Sequence, residues 1–188
     1  MGGSLAPSST SLAALNVAIR GAREAGTDVE VFDIRSMNLP MYAPNLEPPE
    51  QAVRLCEAIY AAEGLIWSSP LYHGTISGSF KNALDWLELL QHRNPPYLTD
   101  KVVGLISSAG GVQGLQAVNT MEFVVRSLRG FAVSLVVPVA RAKRSFGEGG
   151  QPLDERLEAQ LLSLGHEVAL ICLGRRPLPG AEEREDET

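Results

Sequence analysis

The sequence has few of the residues that build metal sites and disulfide frameworks, and it lacks a long hydrophobic run. Its 188 residues include two cysteines, three histidines and 6% aromatic residues. Cys56 and Cys172 lie far apart among apolar neighbours, so we expect two buried thiols and neither a disulfide nor a metal site. The longest apolar run, from Phe131 to Ala140, is too short for a membrane helix of roughly 20 residues. We therefore predict no membrane span.

An excess of basic charge is also absent. The formal net charge is −6, and residues 182–187 hold five acidic residues and one arginine, so the rest of the chain is nearly neutral. Nucleic-acid binding needs a basic face, and we predict no nucleic-acid partner. Residues 176–188 are interpreted as an acidic disordered tail, solvated rather than serving as a docking peptide. No basic stretch followed by a hydrophobic one opens the sequence, which indicates a cytoplasmic protein.

The order of hydrophobic segments predicts an α/β fold. With 45% hydrophobic residues, the chain can build one core, and we assign residues 1–175 to a single domain. Short apolar runs that do not alternate, separated by amphipathic helices, are typical of a parallel sheet covered on both faces. We predict a doubly wound, three-layer α/β/α domain. The predicted strands are 29–34, 65–67, 102–106 and 131–137, and the predicted helices are about 12–22, 48–62, 78–91, 115–129 and 152–173.

The predicted sheet has one irregularity at its start. In a doubly wound sheet the first strand is normally central, yet only Met1-Gly2-Gly3-Ser4 precede the loop into the first helix. A strand takes about five residues. Either a strand precedes residue 1, which we favour because its neighbours would otherwise lose their backbone partners, or the sheet lacks its first strand.

Three loops at the predicted carboxyl ends of strands, where open α/β sheets bind ligands, have unusual compositions. Residues 3–11 are dense in hydroxyls and open a helix, so they suit a phosphate; the alternative is ordinary capping by one serine. Residues 68–78 form a rigid loop that suits a flat heteroaromatic ligand, although Tyr72 can instead pack under the loop and His73 can be a surface residue. Residues 107–114 are small enough for close approach to a ligand, or simply form a tight turn.

The segment from Ser69 to Trp86 carries the most specific pattern. It contains Pro-Leu-Tyr-His-Gly and then Gly-Ser-Phe-Lys-Asn-Ala-Leu-Asp-Trp. This resembles the flavodoxin-like NAD(P)H-dependent FMN reductase family, whose pattern is Pro-x-Tyr-x-Gly followed by a Gly-x-x-Lys-Asn-Ala-Leu-Asp-Trp helix. Gly3-Ser4-Leu5 resembles the start of the family's phosphate loop, and Leu39-Pro40-Met41-Tyr42 resembles its Leu-Pro-x-Tyr loop. The resemblance covers about residues 2–173.

The resemblance implies a flavodoxin-like fold and a reductase that uses FMN, with NADPH or NADH as co-substrate. Hydride passes from the reduced nicotinamide to FMN N5 and onward to a second, small-molecule acceptor. Because the flavin carries this chemistry, no catalytic acid or base is implied. The implied FMN-binding residues are Ser4, Ser9 and Ser11 for the phosphate, Pro70, Leu71, Tyr72, His73, Gly74, Gly110 and Gly111 for the ring, and Ser107 and Gln113 as further contacts.

Departures from the family pattern leave the acceptor open. Ala6 replaces the phosphate-loop arginine and Ser11 replaces its asparagine, which predicts FMN that exchanges rather than staying fixed. Many relatives carry glutamate and asparagine at the positions of Leu71 and His73. Alternatives are a quinone, azo or metal-oxyanion reductase on the same scaffold, a flavodoxin-type electron carrier without NAD(P)H turnover, and a non-catalytic sensor. Arginines 93, 141 and 144 can each meet a 2′-phosphate or face water.

The predicted helix from Phe80 to Leu90 is apolar on more than one face. Trp86, Leu89 and Leu90 widen the apolar stripe beyond what one core contact needs. This pattern predicts a homodimer, or a dimer of dimers, and the family resemblance agrees. The alternative is burial of these side chains under a neighbouring loop.

Overall fold

The computed structural model describes residues 1–174 as a sheet between two layers of helices. Three parallel strands form its centre, and a short fourth strand pairs antiparallel with the first, in the order β2-β1-β3-β4. The strands are β1 (Gly64–Tyr72), β2 (Thr75–Ile76), β3 (Val102–Ser108) and β4 (Phe131–Val139). The predicted three-layer α/β class is confirmed, with the antiparallel β2 as an addition. The predicted tail, 176–188, lies outside the described residues.

Six helices flank the sheet within residues 1–174. They are α1 (Thr10–Glu24), α2 (Ile34–Met37), α3 (Glu50–Ala61), α4 (Gly78–Asp85), α5 (Leu115–Ser127) and α6 (Glu155–Gly174), with 3₁₀ turns at Trp86–Leu90 and Ala142–Arg144. Helices α1 and α6 pack on each other and on one face of the sheet, while α3, α4 and α5 cover the other face. Their apolar stripes bury two clusters of side chains, one on each face of the sheet.

Strand β1 is longer than the three apolar residues that predicted it. It continues through Ser68 and Ser69, which are fully buried. The Ser68 hydroxyl donates to the Ser11 carbonyl at 2.8 Å, and the Ser69 hydroxyl donates to the Pro70 carbonyl at 3.0 Å. Since buried hydroxyls are tolerated when they are hydrogen-bonded, the polar end of the strand stays inside the sheet and reaches the loop beyond it.

The prediction of a strand at 29–34 is wrong. In this segment only Asp33 forms a bridge, to Gly2, and a second bridge joins Gly2 to Ser68 of β1. Residues 1–3 therefore occupy the first-strand position at its carboxyl end. Residues 29–32 form no ladder with another strand among the described residues, because Met1–Gly3 reach only the carboxyl end of this position.

Of the side chains that predicted an exposed apolar helix, Trp86 and Leu90 are buried in the chain itself, whereas Leu89 is 36% exposed. The predicted helix 78–91 ends at Asp85 and continues as the 3₁₀ turn, where Trp86, Leu87 and Leu90 are at most 1% exposed. Burial within the chain, the alternative interpretation, therefore accounts for Trp86 and Leu90 but not for Leu89. The homodimer remains a prediction that this helix no longer supports.

Helix α6 is long and apolar enough to cross a membrane by length and composition. Leu161, Leu164 and Val168 are nevertheless buried against α1 and the sheet. This packing is that of a core helix in a globular domain.

Candidate functional site

A large cleft opens where the carboxyl ends of β1 and β3 meet the start of α1. Its volume is about 1230 Å³. Four segments line it: residues 4–13 at the start of α1, Pro70–Tyr72 at the end of β1, Ser108–Gly110 at the end of β3, and much of 142–152. The cleft lies at the edge of the sheet where the sequence predicted a ligand site.

The start of α1 is a cluster of hydroxyls and free amides. Ser9 caps the helix by accepting from the Leu12 N–H at 3.2 Å, so the ordinary capping role is real. The Ser4 hydroxyl donates to the Ser9 hydroxyl at 3.1 Å, which holds the two together. Among residues 1–174, no backbone group accepts from the N–H of Thr10 or of Ser11. Capping thus uses one donor and leaves others at the positive end of the helix dipole.

Ser11 adds a buried hydroxyl to this cluster. Its side chain is 1% exposed, and its oxygen has no hydrogen-bond partner in the described part of the chain. An unpartnered buried hydroxyl costs free energy unless a ligand or water satisfies it. Gly3, with φ +102°, turns the chain from the sheet into this loop, a conformation that side chains rarely adopt.

The second predicted loop is a hairpin. Leu71 pairs with Ile76 and Tyr72 pairs with Thr75, and the turn is His73-Gly74, both with positive φ. Pro70, Leu71 and Tyr72 line the cleft, and Tyr72 is 51% exposed, so it does not pack under the loop. The His73-Gly74 turn lies beside α5 and not at the cleft, since a Cβ on Gly74 would meet the Gln116 side chain of α5 at 3.6 Å. His73 is an exposed turn residue.

The third predicted loop holds its shape through its own side chains. The Ser107 hydroxyl donates to the Gly114 carbonyl at 2.7 Å, and Val112 N–H donates to the Gln113 side-chain oxygen at 3.1 Å. Gly110 lines the cleft, whereas Gly111 does not. Ser108 lines it with a buried hydroxyl that has no partner within residues 1–174.

The cleft therefore gathers seven of the twelve predicted residues and leaves five outside it. Those that line it are Ser4, Ser9, Ser11, Pro70, Leu71, Tyr72 and Gly110. Those that do not are His73, Gly74, Ser107, Gly111 and Gln113.

Sequence reasoning missed the wall opposite α1. Lys143 and Phe146 line the cleft, followed by residues 147–152. Phe146 forms a bridge to Pro152, which closes this segment into a small loop over the cleft. The glycines at 147, 149 and 150 mark a turn in the sequence, but no local pattern shows that the turn lies beside α1.

The most specific part of the sequence acts as a clamp on the loop 39–42. Asn82 donates to the Pro40 carbonyl at 2.9 Å and accepts from the Tyr42 N–H at 2.8 Å. The Trp86 indole donates to the same Pro40 carbonyl at 3.0 Å and meets the Tyr42 ring edge-on at 5.3 Å. Two motifs distant in sequence are thereby joined, and their role in this structure is to fix the loop 39–42.

The remaining candidates for chemistry are unreactive or dispersed. Cys56 and Cys172 are buried, as expected. The Cys56 thiol donates to the Trp86 carbonyl at 3.3 Å, and burial raises its pKa to about 12, so it is not a nucleophile at neutral pH. Residues 1–174 contain no group of three histidine, cysteine or acidic side chains placed to hold a metal ion.

Comparison with protein families gives a match over most of the chain. The family model described as NADPH-dependent FMN reductase matches residues 1–143. An NADPH-dependent FMN reductase ArsH from Acidithiobacillus ferrooxidans is 34% identical over 129 residues, which cover 69% of this chain and 53% of that protein. An FMN-dependent NADPH-azoreductase from Staphylococcus aureus is 36% identical over 112 residues, 56% of each chain. The chain spans about half the length of the curated relatives it matches.

Solved structures with the same architecture confirm the flavodoxin-like fold. FerB, a flavoenzyme NAD(P)H:(acceptor) oxidoreductase from Paracoccus denitrificans, aligns with a TM-score of 0.75 at 20% identity and covers 93% of this chain and 95% of its own. A flavodoxin, WrbA-like protein from Agrobacterium tumefaciens aligns with a TM-score of 0.62 at 20% identity and covers 88% of this chain and 91% of its own.

Proposed function

Because the chain belongs to the NADPH-dependent FMN reductase family, we propose that its cleft binds FMN and that the protein passes electrons from NADPH or NADH to a second acceptor. The chemistry that FMN supplies when bound is acceptance of a hydride from reduced nicotinamide and onward transfer of the electrons. The protein's own part is to bind, orient and shield. The observation that carries this proposal is the cluster of donors at the start of α1.

The donor set fits a phosphate monoester. Ser4 and Ser9 present hydroxyls, the amides of Thr10 and Ser11 are unpaired among the described residues, and the helix dipole favours an anion there. The buried Ser11 hydroxyl gains a partner when the phosphate is present. Lys143 lines the cleft and adds positive charge there, with no ion pair to any side chain of residues 1–174.

The rest of the cleft fits the flat ring. Pro70, Leu71 and Tyr72 form one wall on rigid strand backbone, and Gly110 lets a ring approach the third loop closely. A half-exposed Tyr72 leaves room for a reduced nicotinamide or an acceptor to stack from the open side. Residues 146–152 lie where they limit access of water.

We further propose that FMN exchanges between turnovers. Arg20 also lines the cleft, but it pairs with Glu158 and Glu24 at the surface, so a phosphate competes with these carboxylates for it. Ala6 contributes no charge. A charge-assisted hydrogen bond contributes about 1.5–3 kcal/mol, so its absence lowers FMN affinity by about one to two decades.

The decisive experiment mixes the protein, FMN and NADPH without oxygen and follows the flavin absorbance. We expect the flavin absorbance to bleach faster than in a protein-free control. The bleaching rate with NADH, divided by the rate with NADPH, then measures the nucleotide preference. Bleaching no faster than the control contradicts the reductase proposal and favours an electron carrier. Adding an azo dye, a quinone or free FMN as the final acceptor then ranks the acceptor classes, and the name of the azoreductase relative makes the azo dye the first to test.

We also propose that the protein is a cytoplasmic homodimer. Helix α5 and the loop before it expose Phe123, Leu115 and Val112, which are 73%, 52% and 65% accessible. Large apolar side chains grouped on one exposed element favour contact with a second copy. Sedimentation of the protein and of Phe123→Glu tests this: a dimer that the substitution dissociates supports α5 as the interface, and a monomeric parent protein contradicts it.

A further inference from the structure

The cleft extends well beyond the cluster of hydroxyls and free amides at the start of α1. Leu12, Ala13, Asn16 and Arg20 recur three or four residues apart, so they form one stripe along α1, and this stripe lines the cleft. At 1.5 Å per residue, the backbone of Arg20 lies about 16 Å along the helix from that of Ser9. The cleft therefore has an outer part at the far end of the stripe, away from the proposed phosphate position of FMN.

The volume of the cleft leaves room for a second ligand. A site for one ligand of ordinary size has a volume of about 300–1,000 Å³, and this cleft measures about 1230 Å³. The positions proposed for FMN use the start of α1 and the ends of β1 and β3, and they leave the stripe of α1 open. In the proposed reaction the second molecule that enters the cleft is the reduced nicotinamide nucleotide.

The outer part of the cleft is marked by an ion pair. Arg20 and Lys143 are the only cationic side chains that line the cleft within residues 1–174, and Lys143 follows β4. Arg20 pairs with Glu158 of α6, which also lines the cleft, and lies 3.8 Å from the Glu24 carboxylate. The side chains of Arg20 and Glu158 are 50% and 36% exposed, so a ligand in the cleft can reach both.

The three arginines that the sequence offered for a 2′-phosphate lie elsewhere. The Arg93 guanidinium lies over the Tyr60 ring, 4.6 Å from its centroid, and neither Arg141 nor Arg144 lines the cleft. Arg20 has no local sequence signal for binding, because it is one polar residue in an amphipathic helix. The packing of α6 beside α1 is what makes it part of the cleft.

An arginine and a carboxylate together supply the chemistry that distinguishes NADPH from NADH. A carboxylate accepts a hydrogen bond from the ribose 2′-hydroxyl of NADH, whereas an arginine binds the additional 2′-phosphate of NADPH. We propose that the outer part of the cleft is a subsite for the 2′-phosphate of NADPH, with Arg20 as its ligand and Glu158 as the carboxylate that the phosphate displaces. This inference rests on the proposed function, since it assigns the adenosine end of the electron donor.

The exchange of partners favours the phosphate. A phosphate monoester carries a charge of about −1.5 to −2 at pH 7 and three acceptor oxygens, and a planar guanidinium bonds two of them at once. The pair between Arg20 and Glu158 contributes little to stability because water screens it. NADH offers a hydroxyl in place of the phosphate, so it leaves this pair intact. The subsite therefore selects NADPH.

The test compares two fragments that differ only in the 2′-phosphate, adenosine 2′,5′-bisphosphate and adenosine 5′-monophosphate. Calorimetric titrations use the protein saturated with FMN, so that the start of α1 is occupied, and are repeated without FMN. We expect the bisphosphate to bind about tenfold more tightly than the monophosphate. A preference below about twofold, or no binding of either fragment, overturns the proposal.

Substitutions in the pair have opposite expected effects. Arg20→Ala should abolish the preference for the bisphosphate, whereas Arg156→Ala, an exposed α6 position outside the cleft, should keep it. Glu158→Gln should raise the affinity for the bisphosphate about threefold, because the competing carboxylate is removed. Glu155→Gln, exposed and outside the cleft, is its control. A preference that survives Arg20→Ala, or that Arg156→Ala also removes, contradicts the subsite. A damaged fold does not explain a gain of affinity in Glu158→Gln, and the absence of that gain also counts against the proposal.

The kinetics of FMN reduction separate this inference from the proposed function. We expect Arg20→Ala to raise the KM for NADPH about tenfold relative to the KM for NADH. If the protein reduces no FMN while Arg20 still sets the fragment preference, the reductase proposal fails and the subsite stands. If FMN is reduced and Arg20→Ala changes neither the KM ratio nor the fragment preference, the subsite fails and the reductase proposal stands.

Discussion

The two ends of the central sheet differ in what surrounds the same parallel strands. At the carboxyl end the loops diverge, and the open space is a cleft of about 1230 Å³ that includes the hydroxyls of the α1 start. At the amino end, residues 28–32 stay alongside β1, and the open space is a narrow apolar groove of 330 Å³. Polar donors at the carboxyl end suit an anionic ligand, whereas the space at the amino end is lined mainly by apolar side chains.

The largest effect that would sharpen this contrast is the pH dependence of folding at the groove end. Burial lowers the pKa of the Met1 amine from 8.0 to about 5. Between these values the unfolded chain holds a proton that the folded chain has released, so stability falls as pH drops from 8 to 5. A shift of about three pKa units corresponds to as much as about 4 kcal/mol.

Denaturant unfolding at pH 5 and pH 8, with and without N-terminal acetylation, measures this contribution. Acetylation removes the titrating amine but leaves the acidic groups Asp28, Glu30 and Glu63 unchanged. We expect the acetylated protein to lose most of the difference in unfolding free energy between the two pH values. Identical pH dependence in both forms would show that the amine is not buried.

At the cleft end, Ser9→Glu is expected to lower FMN affinity by at least about 100-fold, or about 3 kcal/mol. The new carboxylate lies beside Ser4 at the start of α1, where the phosphate is proposed to bind. The matched control is Ser163→Glu, an exposed position on α6 outside the cleft. Fluorescence titration with FMN compares the two, and equal affinity would remove the α1 loop from the site.

The next largest expected effect is the loss of stability when the clamp on loop 39–42 is removed. Asn82→Ala leaves the Pro40 carbonyl with one donor fewer and the Tyr42 N–H without its acceptor. Each of the two lost hydrogen bonds contributes about 0.5–1.5 kcal/mol, so we expect about 2 kcal/mol of lost stability in chemical denaturation. Asn119→Ala, at an exposed site on α5, is the control and should change stability by less than about 0.5 kcal/mol. A similar loss in both variants would contradict a clamp.

The smallest effect is a gain at the groove. Ala58→Leu, on α3, places apolar atoms in the groove, and we expect it to raise the unfolding free energy by about 1 kcal/mol. Ala61→Leu, on the same helix but exposed and outside the groove, should be nearly neutral. A destabilised Ala58→Leu would mean that the groove is too narrow to fill. Thermal unfolding of both variants, compared with the unsubstituted protein, measures these changes in stability.

Sequence reasoning located the cleft because its signals are local. A dense run of serines before an amphipathic helix, and small residues after buried strands, identify loops that the fold necessarily brings to one edge. Two of the predicted positions lie outside the cleft for a geometric reason. His73 and Gly74 form a two-residue hairpin turn, and the turn carries them towards α5 while Pro70 to Tyr72 stay at the cleft.

Other assignments needed contacts that no local pattern contains. The apolar surplus around Trp86 suggested an interface between subunits, yet a loop more than 40 residues earlier buries it. Lys143 and Phe146 reach the cleft only because β4 lies beside β3.

The order of apolar runs, helix caps and small-residue loops determined the three-layer class, the edge of the sheet where the cleft lies and the family resemblance, because each depends on neighbouring residues. Tertiary structure alone decided which loop residues line the cleft, that Asn82 and Trp86 act as a clamp, and that Met1 to Gly3 lie between β1 and residues 32–34. These depend on distances between segments far apart in sequence, and such distances are set by packing and backbone pairing across the whole sheet.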